Sequence, residues 1–140
     1  MSIISRLRSE FIQDIDFLFC SMPGSMGFKA RRTYLRWRIN RMGANAFICR
    51  GINLVGPGNI IIGDEFSCLW NCSLMACDDG SIQIGDRVAL NANVYINACL
   101  GGRIVLGNDV SIGPNTVLRA SDHITTDLDV PINQQGHTGG

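Results

Sequence analysis

No stretch of this 140-residue chain is apolar for long enough to cross a bilayer as a helix. Net charge is missing as well, since twelve basic residues balance twelve acidic ones. No cleavable secretion signal is evident, because Arg6, Arg8, Glu10, Asp14 and Asp16 interrupt the start of the chain. The expected location is therefore the cytoplasm. Histidine is scarce, with only His123 and His137. No recognised nucleic-acid-binding motif occurs, and the larger part of the chain is acidic, so nucleic acid is not an expected partner.

The zero balance hides an asymmetry. Residues 1–50 carry nine Arg or Lys against three acids (+6), and residues 51–140 carry three against nine (−6). The six cysteines do not spell a metal site in sequence, and no metal is expected.

What is present is a repeat of 22 residues. Segments starting at Ile62 (IGDEFSCLWNCSLMACDDGSIQ), Ile84 (IGDRVALNANVYINACLGGRIV) and Leu106 (LGNDVSIGPNTVLRASDHITTD) superimpose. Within each, an aliphatic or small apolar residue returns every six positions: Ile62, Cys68, Leu74; Ile84, Leu90, Ile96; Leu106, Ile112, Leu118. Four further residues complete the period. A period of six fits neither an amphipathic helix nor an alternating strand. It predicts a β-solenoid with three flat faces per coil, stacked through parallel ladders about 4.8 Å apart. A weaker match at Met42, Ile48 and Leu54 places the start of the solenoid near Met42. The residue after the aliphatic is often Gly (Gly63, Gly85, Gly107, Gly113) or Asn (Asn91, Asn97), and these are expected to take the positive φ of a repeated corner. Cys68 and Cys72 fall inward as small apolar fillers. Cys77 and Cys99, one period apart, would stack on adjacent coils; without an export signal they are expected to be reduced. No regular Thr-x-Thr face appears, which disfavours ice binding.

Ahead of the solenoid, Ile4, Leu7, Phe11, Ile15 and Leu18 recur at helical spacing over residues 3–20. The SMPGSMG stretch breaks that helix, and a second, basic helix is expected over about Lys29 to Arg41, with Tyr34, Leu35, Trp37 and Ile39 interleaved. Residues 1–41 thus read as a helical cap on the open end of the solenoid, which repeat proteins need. The sharper alternative is attachment of this basic, aromatic segment to an anionic membrane surface, at the inner face of the cell membrane. Residues 42–140 read as the β-helix, with a protruding loop from about residue 120.

These hexads resemble those of the left-handed β-helix acyltransferases. The resemblance covers residues 42–140 and implies left-handed coils. It narrows to the galactoside and maltose O-acetyltransferases and the polysaccharide O-acetyltransferases similar to them. That family has a histidine 17 residues beyond the aliphatic opening this coil, and counting from Leu106 reaches His123. The resemblance implies that His123 is a general base. It implies an acceptor-binding role for the Tyr95-Ile96-Asn97 stretch, through Tyr95 and Asn97. Stacking puts Arg119 directly above Asn97, where it would meet a phosphate or a glycan carboxylate. His137 is a candidate substrate contact, and Asp122, Asp127 and Asp129 are candidates for orienting His123. The chain departs from the sugar acetyltransferases at Gly101-Gly102-Arg103, where their acidic residue is absent. Pro131-Ile132 and Gln135-Gly136-His137 look closer to the polysaccharide-modifying branch, which implies a role in polysaccharide biosynthesis.

The function the resemblance implies is transfer of an acyl group, acetyl in that family, from acetyl-CoA to a sugar or cell-surface glycan hydroxyl, in a homotrimer. The coils that line the CoA groove in that family lie beyond the loop. On that comparison the 140 residues look C-terminally incomplete, which leaves a truncated, non-catalytic binding or scaffold module as the alternative. A zinc carbonic anhydrase on the same solenoid would need three histidines, and the chain has two.

Overall fold

The computed structural model describes residues 3–139; of residues 3, 5, 8, 9 and 139 only the backbone is described, so the Arg8 side chain lies outside the described residues. Two helices, α1 (Ile3–Ser21) and α2 (Gly24–Arg38), precede a parallel β-solenoid of four coils that matches a left-handed β-helix. The first coil is β1 (Arg41–Met42), β2 (Phe47–Ile48) and β3 (Asn53–Val55); the second is β4 (Ile60–Ile62), β5 (Ser67–Cys68) and β6 (Ser73–Met75). The third is β7 (Ser81–Ile84), β8 (Ala89–Leu90) and β9 (Tyr95–Asn97), and the fourth is β10 (Arg103–Leu106), β11 (Ser111–Ile112) and β12 (Val117–Arg119). Strands of like position form three four-stranded parallel sheets, one per wall.

The register is the one the repeat predicts. Ile62 pairs with Ile84 and Ile84 with Leu106; Leu74 pairs with Ile96 and Ile96 with Leu118. The first coil joins two residues early, with Met42 opposite Ile62 and Leu54 opposite Leu74. Every hexad aliphatic of the second and third coils is buried, as are Cys72, Val88 and Val94, which fill the corners. In the fourth coil Ile104, Leu106, Val110, Ile112 and Leu118 are only partly buried, because no further described coil covers them.

The corners correct one expectation. Positive φ falls three residues after the aliphatic: Glu65, Arg87 and Asp109 at one corner, and Asn71, Asn93 and Asn115 at the next. Gly63 and Gly85 are glycines for a different reason. A Cβ on Gly63 would sit 2.7 Å from the Gly85 carbonyl carbon, so the coils stack too closely there for a side chain. The next residue makes that stacking specific. Asp64 Oδ1 accepts the Ala44 N–H at 2.7 Å, Asp86 Oδ1 the Asp64 N–H at 2.8 Å, and Asn108 Oδ1 the Asp86 N–H at 2.8 Å. Above it, Arg87 and Asp109 make a two-pronged ion pair at 2.6 and 2.9 Å that holds the Asp109 carboxyl below its ordinary pKa. Both groups are exposed, so the pair adds little to stability.

A second correction concerns Cys77 and Cys99, which are joined by a disulfide. The 22-residue register brings their Cα atoms to 4.6 Å, within the reach of a cystine. The other four cysteines are free and buried.

The helices correct a third. α2 begins at Gly24, not near Lys29, and Arg41 belongs to β1. Pro23 stands in extended backbone immediately before α2 and takes no part in a helical turn. Gly27 lies inside the helix because a Cβ there would meet the Met22 carbonyl carbon at 2.7 Å. The hairpin is fastened to the first coil by Arg31, 1% exposed. Its guanidinium donates to the Ile48 carbonyl at 3.1 Å, to that of Cys20 at 3.4 Å and to that of Met22 at 3.1 Å. Cys20 stands in the last turn of α1, where a helix leaves its acceptors unsatisfied, and Met22 follows the helix in the link to α2. Leu35 and Ile39 supply the apolar contact beneath.

Candidate functional site

Strand β12 ends at Arg119, and the chain then leaves the prism. It forms an antiparallel pair, β13 (Ser121–His123) with β14 (His137–Gly139), separated by an irregular loop. The 22-residue unit does not continue through this segment: Leu128 stands where the next unit would open, but Gln134 and Gly140 fall at its next aliphatic positions, and Pro131 starts a short 3-10 turn, Ile132–Gln134. Gln135 shapes the loop from within. Its Nε2 donates to the carbonyls of Asp127 and Val130, both at 2.6 Å, and its Oε1 accepts the Asp127 N–H at 3.1 Å.

The antiparallel register sets His123 directly opposite His137, with ring centroids 4.1 Å apart and planes tilted by 46°. His123 is half-buried and His137 exposed. Nδ1 of His123 is buried and has no hydrogen-bond partner. None of the three carboxylates considered for orienting it does so. Asp122 Oδ1 accepts the His123 backbone N–H at 2.8 Å, and Asp127 Oδ1 accepts the Asp129 N–H at 2.9 Å. Here the neighbour that contacts the imidazole is a second imidazole.

The third wall carries the other candidates. Tyr95, Asn97, Val117 and Arg119 alternate with the inward Ile96 and Leu118 and so face outward. Asn97 Nδ2 donates to the Tyr95 hydroxyl at 3.1 Å, and Asn97 Oδ1 accepts the Cys99 N–H at 2.9 Å. Both polar atoms of Asn97 are thus engaged within its own coil. Arg119 pairs in register with Asn97, as the repeat predicts, and its Nε donates to Ser121 Oγ at 3.4 Å. Ser121, 7% exposed, is one of two buried polar residues among those described and was not legible as a site residue. The candidates thus form three local contacts, Tyr95 with Asn97, Arg119 with Ser121 and His123 with His137, and the first two are related by the backbone register of β9 and β12. No direct contact joins the Asn97 and His123 side chains among the described residues.

Cavities lie elsewhere as well. One of about 810 Å³ sits between α1 and the first coil, against Ile12, Asp16, Arg38 and Asn53, far in sequence from the histidines. Another of about 490 Å³ lies on the loop, against Thr125, Asp127, Pro131 and Gln135. The lining of the second begins two residues beyond β13 and includes neither histidine. Among the described residues no group of three or more His, Cys, Asp or Glu is placed to hold a metal ion. No described helix is long and apolar enough to cross a membrane.

No protein-family model matches the chain, and no curated protein matches it in sequence. Among solved structures it is similar to a variant of AntD, an N-acyltransferase from Bacillus cereus, in complex with dTDP and coenzyme A. The TM-score is 0.62 and the identity 17%, over 79% of this chain and 59% of that one. This chain spans less than two thirds of that protein's length, and at this identity what the two share is the fold.

Proposed function

We propose that this chain belongs to an acyl-CoA-dependent acyltransferase, with acetyl-CoA as donor and a hydroxyl of a sugar or cell-surface polysaccharide as acceptor. The observation that carries the reading is His123: a half-buried imidazole, on an antiparallel pair that departs from the repeat, one short strand beyond the Asn97–Arg119 register. With Nδ1 closed to solvent, Nε2 is the nitrogen left to meet an acceptor. In the reaction, this nitrogen takes the proton of the acceptor hydroxyl as its oxygen attacks the thioester carbonyl. The C–S bond then breaks, and the proton passes to the departing CoA thiolate. Tyr95, Asn97 and Arg119 would hold the acceptor, with Arg119 answering an anionic group on it. His137 would bound the acceptor side and fix the His123 ring.

The fold shared with an N-acyltransferase that binds coenzyme A supports the donor. It leaves the acceptor atom, oxygen or nitrogen, to experiment. Radiolabelled acetyl-CoA supplied with glycan, nucleotide-linked sugar and amino-sugar acceptors distinguishes them: an ester product loses its label in mild alkali, and an amide keeps it. An alkali-stable product would overturn O-acylation.

A second reading is a scaffold or binding module that keeps the prism without turnover, and it is favoured by the engagement of Asn97 within its own coil, where Nδ2 donates to Tyr95 and Oδ1 accepts from Cys99. Calorimetry with CoA separates the two, since the enzyme reading requires binding and the scaffold reading does not.

A further inference from the structure

We propose that the α1–α2 hairpin is a docking surface for an anionic lipid bilayer, on which it lies without crossing. Four of the five residues in the apolar stripe of α1 are exposed, and the fifth, Ile15, is half-buried. Ile4, Leu7, Phe11 and Leu18, spaced to share one helix face, are 79%, 60%, 65% and 60% exposed. The cap is held by Arg31, Leu35 and Ile39, which leaves those four exposed side chains outside the packed contact.

On α2, Met26 and Trp37 are 78% and 88% exposed. Helical spacing puts Lys29 one turn beyond Met26, and Lys29, Arg32 and Arg36 form an exposed basic flank next to that face. Tryptophan flanked by cations is the chemistry of a headgroup boundary: the ring sits at the edge of the acyl chains, and the cations meet phosphate. A shallow apolar depression of about 460 Å³ joins the helices, lined by Phe19 of α1 and by Lys29, Thr33, Tyr34 and Trp37 of α2.

Charge decides between a bilayer and a second copy of this chain. The acids of the hairpin are mostly used internally: Glu10 pairs with Arg6, and Asp16 holds Arg38 at 2.9 and 3.0 Å. Lys29 and Arg32 have no ion-pair partner among the described residues, and Arg36 donates only to the Gly43 carbonyl. A two-fold contact through this face would set Lys29, Arg32 and Arg36 against their own copies, whereas anionic headgroups neutralise them. Asp14, bordering the stripe, is the one acid that works against binding.

The test is co-sedimentation of the full chain with vesicles of phosphatidylglycerol and phosphatidylcholine, and with phosphatidylcholine alone. The chain should sediment with the first and stay in the supernatant with the second, and high salt should release it. Charge reversal by Lys29→Glu, Arg32→Glu and Arg36→Glu together should weaken binding by more than about tenfold, and Asp14→Lys should strengthen it. Leu18→Ser with Phe11→Ser should abolish it. All these positions are exposed, and an unchanged circular dichroism spectrum shows that each variant is folded. Failure to bind the anionic vesicles overturns the proposal. So does equal binding to both vesicles. A dimer in solution that Leu18→Ser dissociates would assign the stripe to a second copy and overturn it too.

Discussion

His123 and His137 oppose each other in an antiparallel strand pair, their ring centroids 4.1 Å apart, while the Nδ1 of His123 is buried without a partner. An imidazole that no carboxylate orients must be held by packing. The ring opposite is the packing on hand.

His137 is therefore expected to position His123. Replacing His137 by Ala should lower the turnover number roughly ten- to hundredfold, since a small misplacement of a catalytic group has effects of that size. The acceptor's KM should change little. A raised KM with unchanged turnover would instead make His137 a binding residue.

The four free cysteines, Cys20, Cys49, Cys68 and Cys72, are buried, and burial pushes the Cys20 thiol up to about 11. Ellman's reagent at pH 8 should find almost no thiol in the folded protein, four after denaturation, and six only once a reductant has opened Cys77–Cys99. Six thiols in the denatured, unreduced protein would show that the two coils stack without the disulfide.

Burial, and then the 2.6 Å hydrogen bond to Asp16, push the Tyr34 hydroxyl up to about 12 from an ordinary 10. Folding thus favours the protonated phenol. The stability this gives is complete below pH 10 and is lost as pH rises through about 12. The thermal midpoint should fall across that window, and the fall should be smaller in Tyr34→Phe. Ultraviolet titration at 295 nm should show one tyrosine, absent from that variant, ionising near 12.

Ile96 sits in the middle of the prism, fully buried, and Val117 lies on the outer wall, 64% exposed. Ile96→Ala should cost about 2 to 5 kcal/mol in urea unfolding. Val117→Ala should stay within about 0.5 kcal/mol. Equal costs would mean that the inward and outward sides had been exchanged.

The hexad beat made the prism readable because an inward aliphatic or small apolar residue returns to the next wall every six residues, so the register follows from counting. Gly63 and Gly85 were visible as a pattern but not as a cause: close approach between coils depends on the neighbour 22 residues away, which local φ preferences do not see. Asp64, Asp86 and Asn108 stand at the same repeat position, yet their bonds to the coil before are invisible until the coils stack. The loop was legible only as a place where the beat stops. Nothing in the composition of residues 121–139 announces that Ser121–His123 pairs with His137–Gly139, since two three-residue strands are too short for a period. That pairing is what brings the histidines together. Gln135, which shapes the loop from its interior, was likewise beyond sequence reasoning. The apolar stripe of α1 was found by its spacing, but spacing says that a helix has two faces and not which one meets the protein.

The claim on which the rest depends is that the imidazole of His123 removes the acceptor's proton. Its direct measurement is the initial rate of thioester cleavage at 232 nm, with acetyl-CoA and a glycan acceptor, for the protein and for His123→Ala at matched folding. The account predicts a loss of about 10² to 10⁴ in turnover with CoA affinity unchanged. Transfer that persists undiminished in His123→Ala, or no acceptor-dependent cleavage by the unaltered protein, would contradict it.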